Sequence, residues 1–267
     1  MKHDALCGGR IEVQQSQSAN IGSGYFVDRT VLVTGGASGI GRAVTDKLVG
    51  LGAKVAVWDI NAERLAECQS VHGERVLTAN VNVADRASVE AAMDALVGSL
   101  GGVDHLLNNA GIIGQRMTVE DMNEPELDRV LGVNLKSAFY VSSAFIRAPS
   151  SRADRSVVNL SSIAARTGGM VGNIVYATTK GAIASFTVAL AKELAPKARV
   201  NALAPGVINT EIQQDVFADP ANIEAMANMI PLKRLGTAAE VANAAVWLLS
   251  GEASYITGVV VDVSGGR

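Results

Sequence analysis

The chain has few of the residues that mark secreted, metal-binding or nucleic-acid-binding proteins. Its 267 residues include 2 Cys and 3 His, and Cys7 and Cys68 form no CxxC or metal-ligand spacing. The formal net charge is -3 and no block of basic residues is present, which disfavours nucleic acid and anionic membrane surfaces as partners. We also find no apolar run of the length that a membrane span needs. The sequence therefore predicts no metal site, no nucleic-acid partner, no membrane partner and a cytoplasmic location, which suits the two thiols.

The first 28 residues differ in composition from the remainder. Residues 14–20 are polar, and Gly22-Ser23-Gly24 is a flexible tripeptide. No apolar core of a secretory signal follows the start. This composition predicts a flexible N-terminal arm over residues 1–28. Because no linker interrupts the rest of the chain, we predict a single domain over residues 29–267.

From residue 30 onward, short apolar runs alternate with helical stretches. Residues 30–34 are β-branched and continuously apolar, as in a parallel strand that is buried on both faces. Parallel neighbours need crossover helices between them. The alternation therefore predicts an α/β fold, a doubly wound sheet of about seven parallel strands with helices on both faces. The predicted strands are 30–34, 54–59, 75–81, 103–107, 156–160, 199–203 and 258–262, and one long helical region is predicted over 124–147.

A glycine-rich loop follows the first strand, with Gly35, Gly36, Gly39 and Gly41 in a spacing other than GxGxxG. Such a loop allows a tight turn into a helix, whose first amides can face a pyrophosphate. Asp59 ends the second strand, where a carboxylate can accept hydrogen bonds from ribose hydroxyls and repel a 2′-phosphate. No Arg or Lys lies in the loop or directly after Asp59, so we predict NAD(H) rather than NADP(H). The alternative interpretation of the loop is a plain glycine-rich turn. The alternative for Asp59 is a turn residue at the end of a strand.

Tyr176 and Lys180 stand four residues apart at the start of an apolar-periodic helical stretch. Residues at this spacing share one face of a helix. A free tyrosine has a pKa of about 10, and a neighbouring cation lowers the pKa of a phenol. The pair is therefore predicted to act as an acid and a base, giving and taking a proton near neutral pH. Taken alone, the same spacing is also compatible with a surface contact.

Five sequence motifs that follow one another along the chain make it resemble the short-chain dehydrogenase/reductases from about residue 30 to the C-terminus. The resemblance implies a Rossmann-like fold, hydride transfer between a nicotinamide cofactor and a secondary alcohol or ketone, and a homotetramer. Residues 208–232 resemble the substrate lid of that family, and their apolar spacing predicts a helical cover. The motifs are Thr34-Gly35-x-x-x-Gly39-x-Gly41, Asn108-Asn109-Ala110-Gly111, Tyr176-x-x-x-Lys180, Pro205-Gly206 with Thr210, and Gly258…Asp262…Gly265-Gly266.

The resemblance also implies catalytic roles. Tyr176 resembles the general acid/base, and Lys180 the residue that lowers the tyrosine's pKa and binds the nicotinamide ribose. Asn134 resembles the residue that supports a water beside the lysine. Ser162 resembles the hydroxyl that holds the substrate oxygen. Ser161 remains an alternative, because the spacing to Tyr176 is 14 for Ser162 and 15 for Ser161, both longer than is usual in the family.

The same resemblance, together with the glycine loop and Asp59, predicts the cofactor site. Asn82 stands where the family often has Asp, and its carbonyl oxygen can still bond adenine. Asn108 is expected to line the cofactor as well. The predicted cofactor-binding residues are Gly35, Ser38, Gly39, Ile40, Gly41, Asp59, Asn82, Val83, Asn109, Ala110, Gly111, Tyr176, Lys180, Pro205, Gly206, Ile208 and Thr210.

Three functions remain open from the sequence. The first is an NAD(H)-dependent alcohol dehydrogenase or ketoreductase with a small-molecule substrate. The second is an NADPH-dependent 3-oxoacyl reductase, which Asp59 disfavours. The third is a dinucleotide-binding relative without turnover, which the intact set of four catalytic residues disfavours.

The polar loop over residues 148–155 shows no obvious chemistry, and His105 is interpreted as a packed strand residue.

Overall fold

The fold is seen in a computed structural model that describes residues 24–210 and 220–267. Its strands are β1 (Thr30–Thr34), β2 (Lys54–Asp59), β3 (Val76–Asn80), β4 (His105–Asn108), β5 (Arg155–Leu160), β6 (Ala198–Pro205), β7 (Ile208–Asn209), β8 (Gly236–Thr237) and β9 (Val260–Val263). Seven of them form one parallel sheet in the order β3-β2-β1-β4-β5-β6-β9. The predicted sheet is therefore confirmed, with some strand ends displaced by one or two residues.

Helices cover both faces of this sheet, as predicted. Val31 and Val33 of β1 belong to one apolar layer, whereas Leu32 between them belongs to the other. Successive side chains of a strand point to opposite faces, so a strand buried on both faces must be apolar throughout. The helices are α1 (Gly39–Gly50), α2 (Ala62–His72), α3 (Arg86–Leu100), α4 (Glu124–Leu131), α5 (Ser137–Arg147), α6 (Ala164–Thr167), α7 (Ile174–Leu194), α8 (Pro220–Met229) and α9 (Ala238–Leu249).

The helical region predicted over residues 124–147 is not one continuous α-helix. Between α4 and α5, the segment Gly132–Lys136 adopts a π-helical turn. Such a turn admits an extra residue into the helix and is frequent at functional sites. The turn contains Asn134, which is buried.

Part of the predicted flexible arm belongs to the packed domain. Phe26 is fully buried and Tyr25 is 7% exposed, and both contact the ring of His105. The Tyr25 hydroxyl donates to Asp154 at 2.7 Å, and Arg29 pairs with the same carboxylate. Burying an aromatic side chain stabilises by roughly 1.5–3 kcal/mol, so residues 24–28 are held in place. The rest of the arm, residues 1–23, lies outside the described residues.

Helix α7 is long and apolar enough to cross a membrane by length and composition, with a mean hydropathy of 1.4. The expectation that no such run exists was therefore wrong by this criterion. A core helix of a globular domain meets the same criterion. Here α7 places Ile183, Leu190 and Leu194 in buried positions against the domain.

Candidate active site

A cavity of about 930 Å³ lies at the carboxyl ends of the parallel strands. This is the edge where ligands bind in open α/β sheets. Ser162, Tyr176, Lys180 and all but one of the predicted cofactor-binding residues line this cavity. The exception is Gly41. Asn108, which was expected to line the cofactor, and the predicted catalytic residue Asn134 do not line the cavity.

Gly41 does not line the cavity, but the close packing of the glycine loop requires a residue without a side chain at this position. A Cβ at this position would lie 2.0 Å from the Gly35 oxygen and 2.6 Å from Asn109 Nδ2. Gly35 and Gly39 have positive φ angles of 60° and 53°, which a side chain disfavours. Helix α1 then begins at Gly39 and leaves its first amides without partners in the helix. Because Ser38 and Gly39 line the cavity, these amides are placed to bind an anion.

A hydrogen-bond network joins the glycine loop to the segment after β4. Asn109 Nδ2 donates to the backbone oxygens of Thr34 and Gly35 at 3.0 and 2.9 Å. Thr34 Oγ1 accepts from the amides of Asn109 and Ala110. Thr34 belongs to a motif of the sequence, but this role was not predicted.

Asn108 does not face the cavity, contrary to the expectation that it lines the cofactor. Its Nδ2 donates to Ser142 Oγ at 3.0 Å and to Asn159 Oδ1 at 2.9 Å. Asn159 in turn donates to Thr187 Oγ1 at 2.9 Å. Asn108 therefore joins β4 to α5, β5 and α7 behind the site.

Asp59 is held at the cavity wall by two backbone amides. Its Oδ2 accepts from Ala37 at 3.2 Å, and its Oδ1 accepts from Asn61 at 3.1 Å. The carboxylate thus lies beside the glycine loop. Arg64, in the first turn of α2, lines the same cavity. This cation was missed from the sequence because only residues directly after Asp59 were considered.

Asn82 and Val83 lie at the same end of the cavity. Val83 is 7% exposed, whereas Asn82 is exposed. Asn82 Oδ1 accepts from the Ala84 amide at 3.1 Å. A carbonyl oxygen has two lone pairs, so one remains for a further donor.

The structure brings Ser162, and not Ser161, against Tyr176. The Ser162 hydroxyl lies close enough to Tyr176 to lower the pKa of the phenol, and Ser162 Oγ accepts from the Ala164 amide at 3.1 Å. The Ser161 hydroxyl instead donates to the backbone oxygen of Lys180 at 2.8 Å. The two neighbours therefore have different surroundings, because successive side chains at the end of β5 point in opposite directions.

Burial governs the pKa values of both members of the Tyr–Lys pair. Burial raises the pKa of Tyr176 above its ordinary value, and the hydrogen bond from Ser162 offsets part of this. The net shift of the tyrosine's pKa is therefore upward, opposite to the direction that the Tyr–Lys spacing predicted. The Lys180 ammonium lies 5.7 Å from the centroid of the Tyr176 ring and donates to the Leu160 oxygen at 2.7 Å. Burial lowers the pKa of Lys180 to about 8, so the lysine is mostly protonated at neutral pH.

Asn134 lies behind Lys180 with both ends of its amide engaged. Its Nδ2 donates to the Ile112 oxygen at 2.8 Å and its Oδ1 accepts from the Ile112 amide at 2.8 Å. Nδ2 also donates to Thr179 Oγ1 at 3.2 Å. A Cβ on Gly111 would lie 3.3 Å from Lys180 Nζ and 3.4 Å from Asn134 Oδ1. The absence of a side chain there keeps the space between lysine and asparagine open.

The other end of the cavity has mainly apolar walls. Ile208, Thr210 and Met226, from the segment predicted as a lid, line the cavity, whereas residues 211–219 of that segment lie outside the described residues. Arg116, Ile163, Thr167 and Met170 were missed from the sequence, because no motif marks them. Further lining residues at this end are Ile113, Arg116, Ile163, Thr167, Met170, Val207 and Arg267.

Comparisons with known proteins match this architecture. A family model described as Enoyl-(Acyl carrier protein) reductase matches residues 35–267. The 3-oxoacyl-[acyl-carrier-protein] reductase FabG of Aquifex aeolicus is 37% identical over 240 residues, which cover 88% of this chain and 95% of that protein. Levodione reductase of Leifsonia aquatica is 34% identical over 255 residues, which cover 91% and 95%. The 3-ketoacyl-(acyl-carrier-protein) reductase of Brucella melitensis, complexed with NADH, is 32% identical with a TM-score of 0.85, and 91% of this chain and 99% of that chain are covered.

Proposed function

Because the chain belongs to the short-chain dehydrogenase/reductase family, we propose that it is an oxidoreductase that transfers a hydride between NAD(H) and a secondary alcohol or ketone. The observation that carries this proposal is that Ser162, Tyr176 and Lys180 line the same cavity as the glycine loop. A bound nicotinamide supplies or accepts the hydride. The chain's own residues then bind the substrate oxygen and move its proton.

Each catalytic residue has a distinct task in this proposal. Charge develops on the substrate oxygen as the hydride moves, and the Ser162 hydroxyl donates a hydrogen bond to that oxygen. Tyr176 gives the oxygen a proton or removes one. The Lys180 ammonium, adjacent to the phenol ring, favours the phenolate as it forms. Asn134, which does not line the cavity, supports a water beside Lys180 in the space at Gly111.

Asp59 supports NAD(H) as the cofactor. Its carboxylate is held beside the glycine loop by two amides, where it favours ribose hydroxyls and repels a 2′-phosphate. The Brucella melitensis relative is complexed with NADH. Arg64 at the same wall favours the second candidate, an NADPH-dependent 3-oxoacyl reductase, and the FabG relatives support that substrate.

We also propose a cytoplasmic homotetramer. Tyr255 is fully exposed and Val260, on the edge strand β9, is 37% exposed. On α5, Phe139 is 51% exposed, and its ring centroid lies 4.4 Å from that of Phe186. Large apolar side chains of this kind are typical of subunit interfaces. Light scattering on the purified protein measures the oligomeric state.

Titration of the purified protein with NADH and with NADPH, read by nicotinamide fluorescence, tests the proposed function. Turnover is then measured with a panel of secondary alcohols and ketones. We expect tighter binding of NADH and turnover of one substrate class. A preference for NADPH favours the 3-oxoacyl reductase. Binding of NADH without turnover of any compound favours a relative that binds dinucleotides without catalysis.

A further inference from the structure

Arg116 brings a positive charge to the substrate end of the cavity. It lines the same cavity as Ser162 and Tyr176. Within residues 24–210 and 220–267, the only polar contact of its guanidinium is Nη2 to the Met170 sulfur, at 3.8 Å. A thioether is a weak acceptor, whereas a guanidinium offers five N–H donors. The side chain therefore has strong donors without a strong acceptor among the described residues.

The acidic groups near Arg116 are occupied elsewhere. Glu126 Oε1 accepts from the Gln115 amide, and the two oxygens of Glu126 pair with Arg129 at 2.7 Å each. The pairing with Arg129, followed by the amide bond, lowers the pKa of Glu126. Within the described part of the cavity wall, the carboxylates are Asp59, beside the glycine loop, and Asp128, on α4. Among the described residues, no side-chain carboxylate therefore forms an ion pair with Arg116.

The backbone around Arg116 is tied to the start of the helix that carries Tyr176. The amide of Met117 donates to the Gly172 oxygen at 3.0 Å, and Met117 forms a parallel bridge with Asn173. A Cβ on Gly172 would lie 3.1 Å from the Arg116 Cβ, so the two segments are in close contact. Asn173 is the residue before α7, in which Tyr176 is the third residue. This attachment holds the base of the Arg116 side chain at a constant place relative to the reacting hydroxyl.

We propose that Arg116 binds an oxyanion group of the substrate, a carboxylate or a phosphate, while Ser162 and Tyr176 hold the reacting oxygen. The planar guanidinium matches both groups with two parallel hydrogen bonds. The apolar side chains that line the same cavity, including Met170 and Met226, accommodate the carbon chain that joins the two ends. The substrate class is then an anionic secondary alcohol or ketone. This inference rests on the proposed function, because it uses the same hydroxyl pair.

Steady-state kinetics with matched acids and esters test the inference. The probes are oxo-acids of increasing chain length, from 3-oxobutanoate upward, their methyl esters, and ketones with a phosphate monoester in place of the carboxylate. The wild type is expected to favour one anionic series over the esters, and the favoured series identifies the oxyanion. Arg116→Gln is expected to raise KM for that series about tenfold, since the pair is charge-assisted but partly solvated. The kcat value and the KM values of the esters are expected to stay the same.

Two control variants separate Arg116 from the other cations. Arg152→Gln removes an exposed arginine of the polar loop and leaves all constants unchanged. Arg267→Gln removes another arginine that lines the cavity. A loss of acid preference in Arg267→Gln but not in Arg116→Gln overturns the assignment. Equal KM values for the acids, the phosphate monoesters and the neutral esters in the wild type overturn it as well.

A binding measurement keeps the inference independent of turnover. Butanoate and hexanoate, with their amides as neutral controls, are titrated into the NADH complex and followed by nicotinamide fluorescence. The acids are expected to bind more weakly to Arg116→Gln than to the wild type, with an unchanged Kd for NADH. Unchanged acid binding contradicts the inference. If no ketone is turned over but the acids lose affinity in the variant, the proposed function fails and the anion site stands.

Discussion

The side-chain hydroxyl of Ser161 donates to the backbone oxygen of Lys180 at 2.8 Å, although this residue, like Ser162, lines the cavity. The hydroxyl of the next residue, Ser162, instead lies close enough to Tyr176 to lower the pKa of the phenol. Adjacent serines at the end of one strand thus have separate tasks, one in holding α7 against β5 and the other in the site.

This difference predicts opposite results for two alanine substitutions. Ser162→Ala removes the donor to the substrate oxygen, and we expect kcat to fall about 10²–10³-fold, as for other single donors to a developing oxyanion. Ser161→Ala removes one buried hydrogen bond and is expected to lower the free energy of unfolding by about 0.5–1.5 kcal/mol, with most turnover retained. Initial rates and urea unfolding measure both quantities. The reverse pattern would identify Ser161 as the catalytic serine.

Replacement of Tyr176 by phenylalanine removes the proton donor and retains the ring. We expect Tyr176→Phe to abolish turnover, a loss of at least about 100-fold, while the Kd for NADH stays close to that of the wild type. Nicotinamide fluorescence and initial rates with the best substrate give the two values. Activity near that of the wild type would remove the basis of the catalytic assignment.

Asp59 is expected to control the choice between the two nicotinamide cofactors. Asp59→Ala removes an acceptor for the ribose hydroxyls and the charge that repels a 2′-phosphate. We expect weaker binding of NADH, by about 1.5–3 kcal/mol, and less discrimination against NADPH. Asp46→Ala removes a partly exposed carboxylate of α1 that does not line the cavity and serves as the control. If Asp59→Ala binds both cofactors as the wild type does, Asp59 has no part in the choice.

Burial of Lys180 predicts a pH-dependent contribution to stability. The pKa of Lys180 is lowered from 10.5 to about 8 by burial, so folding disfavours the charged form. This penalty is fully present below pH 8 and diminishes as the pH rises toward 10.5, where the lysine is neutral in both states. We therefore expect the wild type to gain roughly 3 kcal/mol relative to Lys180→Met over this interval.

Urea unfolding of the protein without cofactor, at several pH values between 7 and about 10.5, measures this difference in stability. Lys192→Met, which removes an exposed lysine from the same helix, is the matched control and is expected to show no comparable trend. A difference between wild type and Lys180→Met that does not change with pH would contradict a buried ammonium at this position.

The sequence by itself determined the α/β fold and the position of the glycine loop. Strands buried on both faces must be apolar along their whole length, so β1 and β2 are visible as continuous runs without any knowledge of their neighbours. The glycine loop is equally local, since the requirement at Gly41 arises from a contact with Gly35, six residues away. The Tyr176–Lys180 pair follows from the helical period alone.

Only the tertiary structure decided which other side chains share the cavity and how the ionisable groups respond. Arg116 reaches it through a bridge to Gly172 and Asn173, more than fifty residues later in the chain. The direction of the tyrosine's pKa shift was predicted wrongly because the position of a cation can be read from spacing, whereas the degree of burial cannot. Periodicity describes contacts within one element, and desolvation depends on every element packed around the group.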